Sequence, residues 1–162
     1  LQMLTFVLVA VVRVFTFFGM VNSVVGSSMY PTLHDKDIML AYRLGYTPAQ
    51  GDVVVIRKES FMEEAIVKRV IATEGQEVEI NYDTNTVYVD GVAMDEPYIN
   101  QEDADVMEEK QGMVYKEFTV PEGCIFVMGD NRFGSLGMVD TDYVLGRAVC
   151  VVFPFSDFKS LL

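Results

Sequence analysis

Apolar residues form one long run at the start of the chain. LQMLTFVLVAVVRVFTFFGMV, residues 1–21, contains a single charged residue, Arg13. About twenty residues at a rise of 1.5 Å each would cross the roughly 30 Å hydrocarbon core of a bilayer. The run therefore predicts an uncleaved membrane anchor. A cleaved signal peptide or a buried helix is the alternative, but no small-x-small cleavage site closes the run at a suitable distance.

Beyond residue 22 the pattern changes to short β-branched and aromatic runs between turn signals, which is typical of antiparallel strands. The Asp-Gly pair in VDGV predicts a tight hairpin, and the polar, acidic stretch 95–117 predicts an exposed excursion. No segment beyond residue 22 keeps a helical period over three turns. The pattern predicts strands at 37–44, 52–58, 63–72, 76–80, 86–94, 117–123, 124–130 and 143–153.

These elements predict a mostly β protein with an antiparallel, barrel-like sheet core behind a transmembrane helix. The polar stretch interrupts the core and indicates a small inserted β subdomain. We therefore divide the chain into an anchor (1–21), a catalytic β core (22–74 and 117–157) and an inserted hairpin and loop subdomain (75–116).

Composition excludes several kinds of partner. The 162-residue chain has a formal net charge of −12, and its twelve Lys and Arg residues are scattered, which argues against nucleic-acid binding. Cys124 and Cys150 are too few for a zinc site, so no metal is expected. Both lie in apolar, strand-like runs. They are expected to be buried thiols, with a disulfide as the alternative.

A candidate nucleophile lies in GSSMYPTL, residues 26–33, where Ser28 follows the long apolar run. A serine needs a base to take its proton. His34 is the one histidine of the chain. It lies only six residues from Ser28 along an apparently extended segment, and nothing in the sequence orients it. We therefore expect His34 to be an ordinary surface residue.

A lysine can act as the base if burial keeps it neutral, since its free pKa is near 10.4. Lys68 lies inside the apolar run AIVKRVIA, and strand alternation places it on one face with Ile66 and Val70. The alternative is that its stem packs while its ammonium group reaches solvent. The other lysines have polar or loop-like surroundings: Lys36, Lys58, Lys110, Lys116 and Lys159.

Four sequence boxes occur in order along the chain: GSSMYPTL (26–33), GDVVVIR (51–57), VKRVIATEGQ (67–76) and GDNRFGS (129–135). Together with the apolar N-terminus they resemble type I signal peptidases, which are membrane-anchored serine proteases with a Ser-Lys dyad. The resemblance extends to about Phe153, and the residues in these boxes are closer to those of the Gram-positive bacterial members.

The resemblance implies a role for each matching residue. Ser28 is the nucleophile and Lys68 is the general base. Arg69 and Asp130 support the lysine strand as an ion pair, and the Ser135 hydroxyl orients the lysine amine. The remaining matches form the turns around the site: Met29 and Pro31 beside the nucleophile, with Asn131 and Arg132 after Asp130 in a structural or supporting role.

The resemblance also implies an oxyanion hole and two shallow apolar pockets. The Ser28 backbone N–H is the first oxyanion donor, and a backbone N–H near Gly26 is a candidate for the second. The pockets accept small residues at the first and third positions before the cleaved bond. The positions matching their walls are equally ordinary core residues: Val24, Met29, Leu33, Ile66 and Val67.

By this resemblance the protein is a membrane-bound endopeptidase that removes signal peptides from exported preproteins. It would lie in the cell membrane as a single-pass protein with its catalytic domain on the extracytoplasmic face. Its partners would be preproteins and the lipid bilayer, with no cofactor, no metal and no obligate protein partner.

The chain departs from the family pattern after Ser135. The family normally continues with one residue and then Asp-Ser-Arg, whose Asp and Arg brace the site, whereas this chain continues LGMVD. Asp140 or Asp142 could substitute. The departure is the best support for one alternative, a membrane-tethered pseudoprotease that binds export substrates without cutting them. A self-cleaving protein of the LexA type is the other alternative, because it shares a Ser-Lys dyad and a related β core.

Overall fold

The computed structural model describes residues 2–9, 19–57, 65–99, 116–132 and 136–162. Residues 2–9 are helical with exposed side chains. In this described part of the chain, no helix combines the length and the hydropathy that a membrane span needs. Residues 10–18 of the predicted anchor lie outside the described residues, and residues 19–21 belong to a strand.

Twelve strands form two antiparallel sheets in the described residues, with two short 3₁₀ helices, η1 (Thr141–Tyr143) and η2 (Phe155–Asp157). The larger sheet contains β1 (Gly19–Ser23), β2 (Ile38–Tyr42), β3 (Val53–Ile56), β4 (Ile66–Thr73), β9 (Cys124–Met128), β10 (Leu136–Asp140), β11 (Val144–Phe153) and β12 (Lys159–Ser160). The smaller sheet contains β5 (Glu77–Asn81), β6 (Thr86–Val89), β7 (Val92–Ala93) and β8 (Glu117–Thr119).

The strand order places β4 inside the larger sheet. That order is β1-β2-β11-β3-β4-β9-β10, with β12 paired to β11, and the smaller sheet runs β7-β6-β5-β8. β4 therefore has a hydrogen-bonded neighbour on each side, β3 and β9. The prediction of a mostly antiparallel β protein is confirmed, and each of the eight predicted strand regions contains an observed strand.

Three strands escaped the sequence pattern: β1, β10 and β12. β1 begins inside the apolar run, so its pairing with β2 was hidden by the anchor prediction. The domain prediction places residues from 117 onward in the core, and in the structure β8 pairs with β5 in the smaller sheet. Pairing between strands about forty residues apart leaves no local signature in the sequence.

The two sheets share one hydrophobic cluster. Phe126 of β9 is fully buried against residues of the smaller sheet, including Val78 and Val87. Its ring meets that of Phe118 from β8 edge to face, with centroids 4.8 Å apart. Burying one such aromatic side chain stabilises the fold by roughly 2–3 kcal/mol, so the smaller sheet depends on the larger one.

A backbone hydrogen bond holds each end of the polar excursion between β7 and β8. Met94 N donates to Val87 O at 2.9 Å, and Ile80 N donates to Lys116 O at 2.8 Å. The ends of the excursion are therefore fixed to the smaller sheet.

Both cysteines are free thiols. Cys124 lies at the margin of the cluster shared by the sheets, and Cys150 lies in β11. Each is half-buried. The prediction of free thiols over a disulfide is therefore confirmed, although the two residues are less buried than expected.

Gly146 occupies a crowded point in β11. A Cβ built there would lie 2.4 Å from Tyr42 O and 3.0 Å from Tyr42 C of the neighbouring strand β2. Those atoms are backbone, so β2 or β11 would have to move. Gly137 in β10 has no heavy atom within 4 Å of the same built position.

We therefore expect Gly146→Ala to destabilise the protein by roughly 1–3 kcal/mol, as overpacking does. Gly137→Ala is the matched control and should leave the free energy of unfolding within about 0.5 kcal/mol of the parent. Chemical denaturation measures both values. Equal stability of the two variants would contradict the crowding at Gly146.

Candidate active site

Ser28 lies on the loop between β1 and β2. Two backbone hydrogen bonds of 2.8 Å close this loop, from Val24 N to Asp37 O and from Lys36 N to Val24 O. The buried Asp37 carboxylate accepts a further bond from His34 N at 2.9 Å. Gly26 supplies a left-handed residue, with φ of +84°, two positions before the serine. The loop is thus fixed at its base and holds Ser28 half-buried.

Lys68 reaches the serine from the middle of the sheet. It pairs with Val54 of β3, while β9 flanks the other side of β4. Its Nζ lies 2.6 Å from Ser28 Oγ, although the two residues are forty positions apart in the chain. The structure therefore brings together the serine and the lysine that the sequence singled out.

Burial shifts the protonation equilibrium of Lys68 toward the neutral amine. Only 9% of the residue is exposed, and this burial lowers the pKa of Lys68 to about 8, against the opposing effect of the Asp130 carboxylate. As an ammonium group, Nζ donates to Ser28 Oγ. Once neutral, it can accept the hydroxyl proton across the same contact.

Arg69 and Asp130 form a two-point ion pair beside the lysine. Arg69 Nε donates to Asp130 Oδ1 at 2.8 Å, and Nη2 donates to Oδ2 at 2.7 Å. The third guanidinium nitrogen, Nη1, donates to Gly51 O at 2.8 Å. The Asp130 side chain has no exposed surface. A buried carboxylate needs such a partner, because an uncompensated charge there is costly.

The turn that carries Asp130 also touches the nucleophile loop. Asn131 N donates to Ser28 O at 3.1 Å, and Asn131 Nδ2 donates to Ser27 O at 3.2 Å. Arg132 Nε donates back to Gly129 O at 3.1 Å. This turn therefore fixes the serine backbone. Ser135, for which the sequence predicts an orienting role, lies outside the described residues.

Sequence reasoning missed three residues around this ion pair. Thr32 Oγ1 accepts from Arg69 Nη2 at 3.5 Å. The Tyr98 ring lies over the Arg69 guanidinium, with Cζ 3.9 Å from the ring centroid. Glu96 pairs with Arg132. The available signal was an aromatic residue in an otherwise polar stretch, DEPYIN, which the pattern assigned to an exposed excursion.

The two predicted oxyanion donors differ in their surroundings. Gly26 N already donates to Asp35 Oδ1 at 2.8 Å, so a second donor near Gly26 would have to be a different backbone N–H. The Ser28 backbone N–H has no acceptor among the residues that the structure describes.

The five residues predicted to line the substrate pockets are mostly core residues. Ile66 is half-buried at the margin of the cluster that contains Val70. The other four lie in a different buried cluster, where Leu33 has no exposed surface: Val24, Met29, Leu33 and Val67. This division agrees with the alternation predicted along β4 for Ile66, Val67 and Val70.

His34 does not join the dyad. The imidazole of His34 is half-exposed and faces Asp37 and Asp157, 3.9 and 3.8 Å from Nδ1. These three residues are a group that could hold a metal ion, with ligand atoms within 4.8 Å of one another. They share no residue with the dyad.

Asp140 and Asp142 do not substitute for the absent Asp-Ser-Arg. Both are exposed, and the Asp140 carboxylate caps η1 by accepting from Asp142 N at 2.9 Å. Asp140 pairs with Cys124, whereas the site lies beyond Met128 at the opposite end of β9. A five-residue strand separates the two ends by roughly 14 Å.

Comparison with known proteins places this site in a family. A family model described as signal peptidase, peptidase S26, matches residues 1–153. Signal peptidase I T of Bacillus subtilis (strain 168) is 34% identical over 145 residues, covering 83% of this chain and 74% of that protein. Signal peptidase IB of Staphylococcus aureus (strain Mu50) is 33% identical over 156 residues, covering 83% and 78%.

A solved structure described as a signal peptidase I from Enterococcus faecalis V583 is 29% identical, with a TM-score of 0.48, and covers 63% of this chain and 97% of its own. The family assignment rests on the family model and the two relatives, each of which covers most of the chain. The chain belongs to the signal peptidase family of S26 peptidases.

Proposed function

We propose that this protein is a membrane-bound serine endopeptidase that cleaves signal peptides from exported preproteins. The observation that carries the proposal is the buried Lys68 amine 2.6 Å from the Ser28 hydroxyl. An amine with a pKa of about 8 is a competent general base near neutral pH, whereas a free lysine is almost fully protonated there.

In the first half of the reaction, neutral Lys68 takes the Ser28 hydroxyl proton while Oγ attacks the carbonyl carbon of the scissile peptide bond. The resulting oxyanion is held by the Ser28 backbone N–H. The lysine, now an ammonium group, gives its proton to the leaving amine as the C–N bond breaks. The mature protein leaves, and the signal peptide stays as an ester on Ser28.

In the second half, Lys68 is again neutral and removes a proton from a water molecule. The hydroxide attacks the ester carbonyl, and a second oxyanion forms at the same place. When it collapses, the proton on Lys68 returns to Ser28 Oγ, and the signal peptide leaves as a carboxylate. Arg69 and Asp130 support this cycle by holding the lysine strand against the turn beside Ser28, and Ser135 would orient the amine.

The remaining parts of the proposal concern the substrate and the membrane. Four buried side chains near Ser28 would form the floors of pockets for small substrate residues: Val24, Met29, Leu33 and Val67. Ile66 would lie at the margin of these pockets. The apolar residues before Gly19 would anchor the chain once in the cell membrane, with the catalytic core on the extracytoplasmic face. Residues 75–116 would form the inserted subdomain, and β8 would extend it.

The alternatives of a substrate-binding pseudoprotease and of a self-cleaving LexA-type protein have no specific observation in their favour. Incubation of the full chain in detergent with a labelled preprotein separates the three possibilities. A released signal peptide supports the proposal, a cut enzyme chain supports self-cleavage, and stable binding without cleavage supports the pseudoprotease.

Ser28→Ala and Lys68→Met should each lower kcat/KM for preprotein cleavage by at least about a thousandfold, because each removes one half of a proton-transfer pair. Lys68→Met also ends the cost of burying a cationic group, so its melting temperature should equal or exceed that of the parent. Activity assays and thermal unfolding measure these effects.

Ser27→Ala and Lys159→Met are the matched controls, since neither side chain takes part in the dyad. Both should keep kcat/KM within about threefold of the parent. Normal turnover by Ser28→Ala or Lys68→Met would show that the dyad is assigned to the wrong residues.

The pH dependence of kcat/KM should have an acidic limb set by Lys68. Only the neutral amine accepts a proton, so activity should rise about tenfold per pH unit below a pKa of about 8 and level off above it. A peptide with Ala at both specificity positions is a suitable substrate. A limb centred near the ordinary histidine pKa of about 6.5 that His34→Gln abolishes would contradict the lysine mechanism.

A further inference from the structure

The segment that follows β7 contacts the Arg69–Asp130 ion pair, which lies beside the Ser28–Lys68 dyad. The Tyr98 ring lies over the Arg69 guanidinium, 3.9 Å from Cζ to the ring centroid. An aromatic face attracts a cation most strongly where water is excluded, and only 11% of the Arg69 side chain is exposed. Tyr98 therefore helps to hold the guanidinium in the plane that grips Asp130.

Glu96 fixes Tyr98 and a second arginine. The Tyr98 hydroxyl donates to Glu96 Oε1 at 2.8 Å. Arg132 Nη1 donates to Glu96 Oε2 at 3.1 Å, and Nη2 donates to Oε1. The Arg132 and Glu96 side chains are 5% and 7% exposed. Breaking such a buried pair leaves one charge uncompensated, so the segment has one strongly preferred position.

These contacts fall on both sides of the turn that touches the nucleophile loop. Arg69 holds Asp130, and Glu96 holds Arg132, two residues later. Between them, Asn131 N donates to Ser28 O. A shift of the segment that carries Glu96 and Tyr98 would thus move Asp130, the charged neighbour of Lys68, together with the Ser28 backbone.

We propose that Glu96 and Tyr98 form a clamp that positions the Ser-Lys dyad through Arg69, Asp130 and Arg132. The inference rests on the proposed function and names positioning residues for it. The clamp takes the bracing role that the resemblance gives to the absent Asp-Ser-Arg, for which Asp140 and Asp142 are at the wrong end of β10.

The charges around Lys68 give the clamp a measurable signature. Within the described residues, the charge that acts on the Lys68 ammonium group is Asp130, which raises its pKa. Arg69 compensates Asp130, while Glu96 is compensated by Arg132. If the Arg69 guanidinium moves away from Asp130, the negative charge of Asp130 is less compensated. Asp130 then stabilises the ammonium form of Lys68. The pKa of Lys68 then rises, and less neutral base is present at pH 7.

The test uses the full chain in detergent and two readouts. Lysine side-chain NMR, assigned by the spectrum of Lys68→Met, gives the pKa of Lys68 without any substrate. Cleavage of the Ala-containing peptide gives kcat and KM across pH. Tyr98→Leu keeps much of the side-chain volume without the aromatic face, Tyr98→Phe keeps the face without the hydroxyl, and Glu96→Gln removes the charge opposite Arg132.

We expect Tyr98→Leu to raise the pKa of Lys68 by about 0.5–1 unit and to lower kcat at pH 7 by roughly tenfold through misplacement of the dyad. KM should change less than kcat. Glu96→Gln should act in the same direction, and Tyr98→Phe should recover most of the Tyr98→Leu loss. A change in overall stability alone would not produce this order or move the titration.

Tyr88→Leu is the matched control, because Tyr88 is also half-buried and pairs with Glu79 and Ala93 in the smaller sheet. It should leave the Lys68 titration unchanged. The clamp is refuted if folded Tyr98→Leu and Glu96→Gln titrate like the parent, or if Tyr88→Leu shifts the pKa equally. A parent that cleaves no preprotein refutes the proposed function instead, and the NMR titration still decides the clamp.

Discussion

A lysine amine must be kept partly neutral while a carboxylate lies close to it, and the arrangement of the site depends on that requirement. Burial favours the neutral amine, whereas Asp130 favours the ammonium form. The conflict is moderated because Asp130 has its own cation, Arg69, bound at two points. Under the proposed clamp, opening this ion pair would leave Asp130 less compensated and would favour the ammonium form of Lys68.

The fold meets this requirement by combining a strand inside a sheet with a loop held by hydrogen bonds. Lys68 and Arg69 are consecutive residues of a strand with neighbours on both sides, so their side chains point to opposite faces from a fixed backbone. Ser28 lies on a loop that is closed by the hydrogen bond from Val24 N to Asp37 O, and its own carbonyl accepts from Asn131 N. Supporting contacts of this kind decide whether a site is productive.

Much of this could be predicted from local pattern. Alternation identified the strands and placed Lys68 among apolar neighbours, and the four ordered boxes identified its serine partner. The contacts of Glu96 and Tyr98 could not be predicted, because they join a polar segment to residues that lie 36 and 29 positions away along the chain. β1 was missed for a related reason: hydropathy alone does not distinguish the end of an anchor from a strand that pairs with β2.

The backbone hydrogen bonds at Met94 and Lys116 have a consequence for how the fold can diversify. They fix both ends of the excursion between the two halves of the smaller sheet. Adding residues inside a loop whose ends are already fixed costs little, since doubling a flexible loop adds only about 0.6 kcal/mol of closure entropy. An insertion between Ile99 and Lys116 should therefore leave both fixed ends, and the dyad, in place.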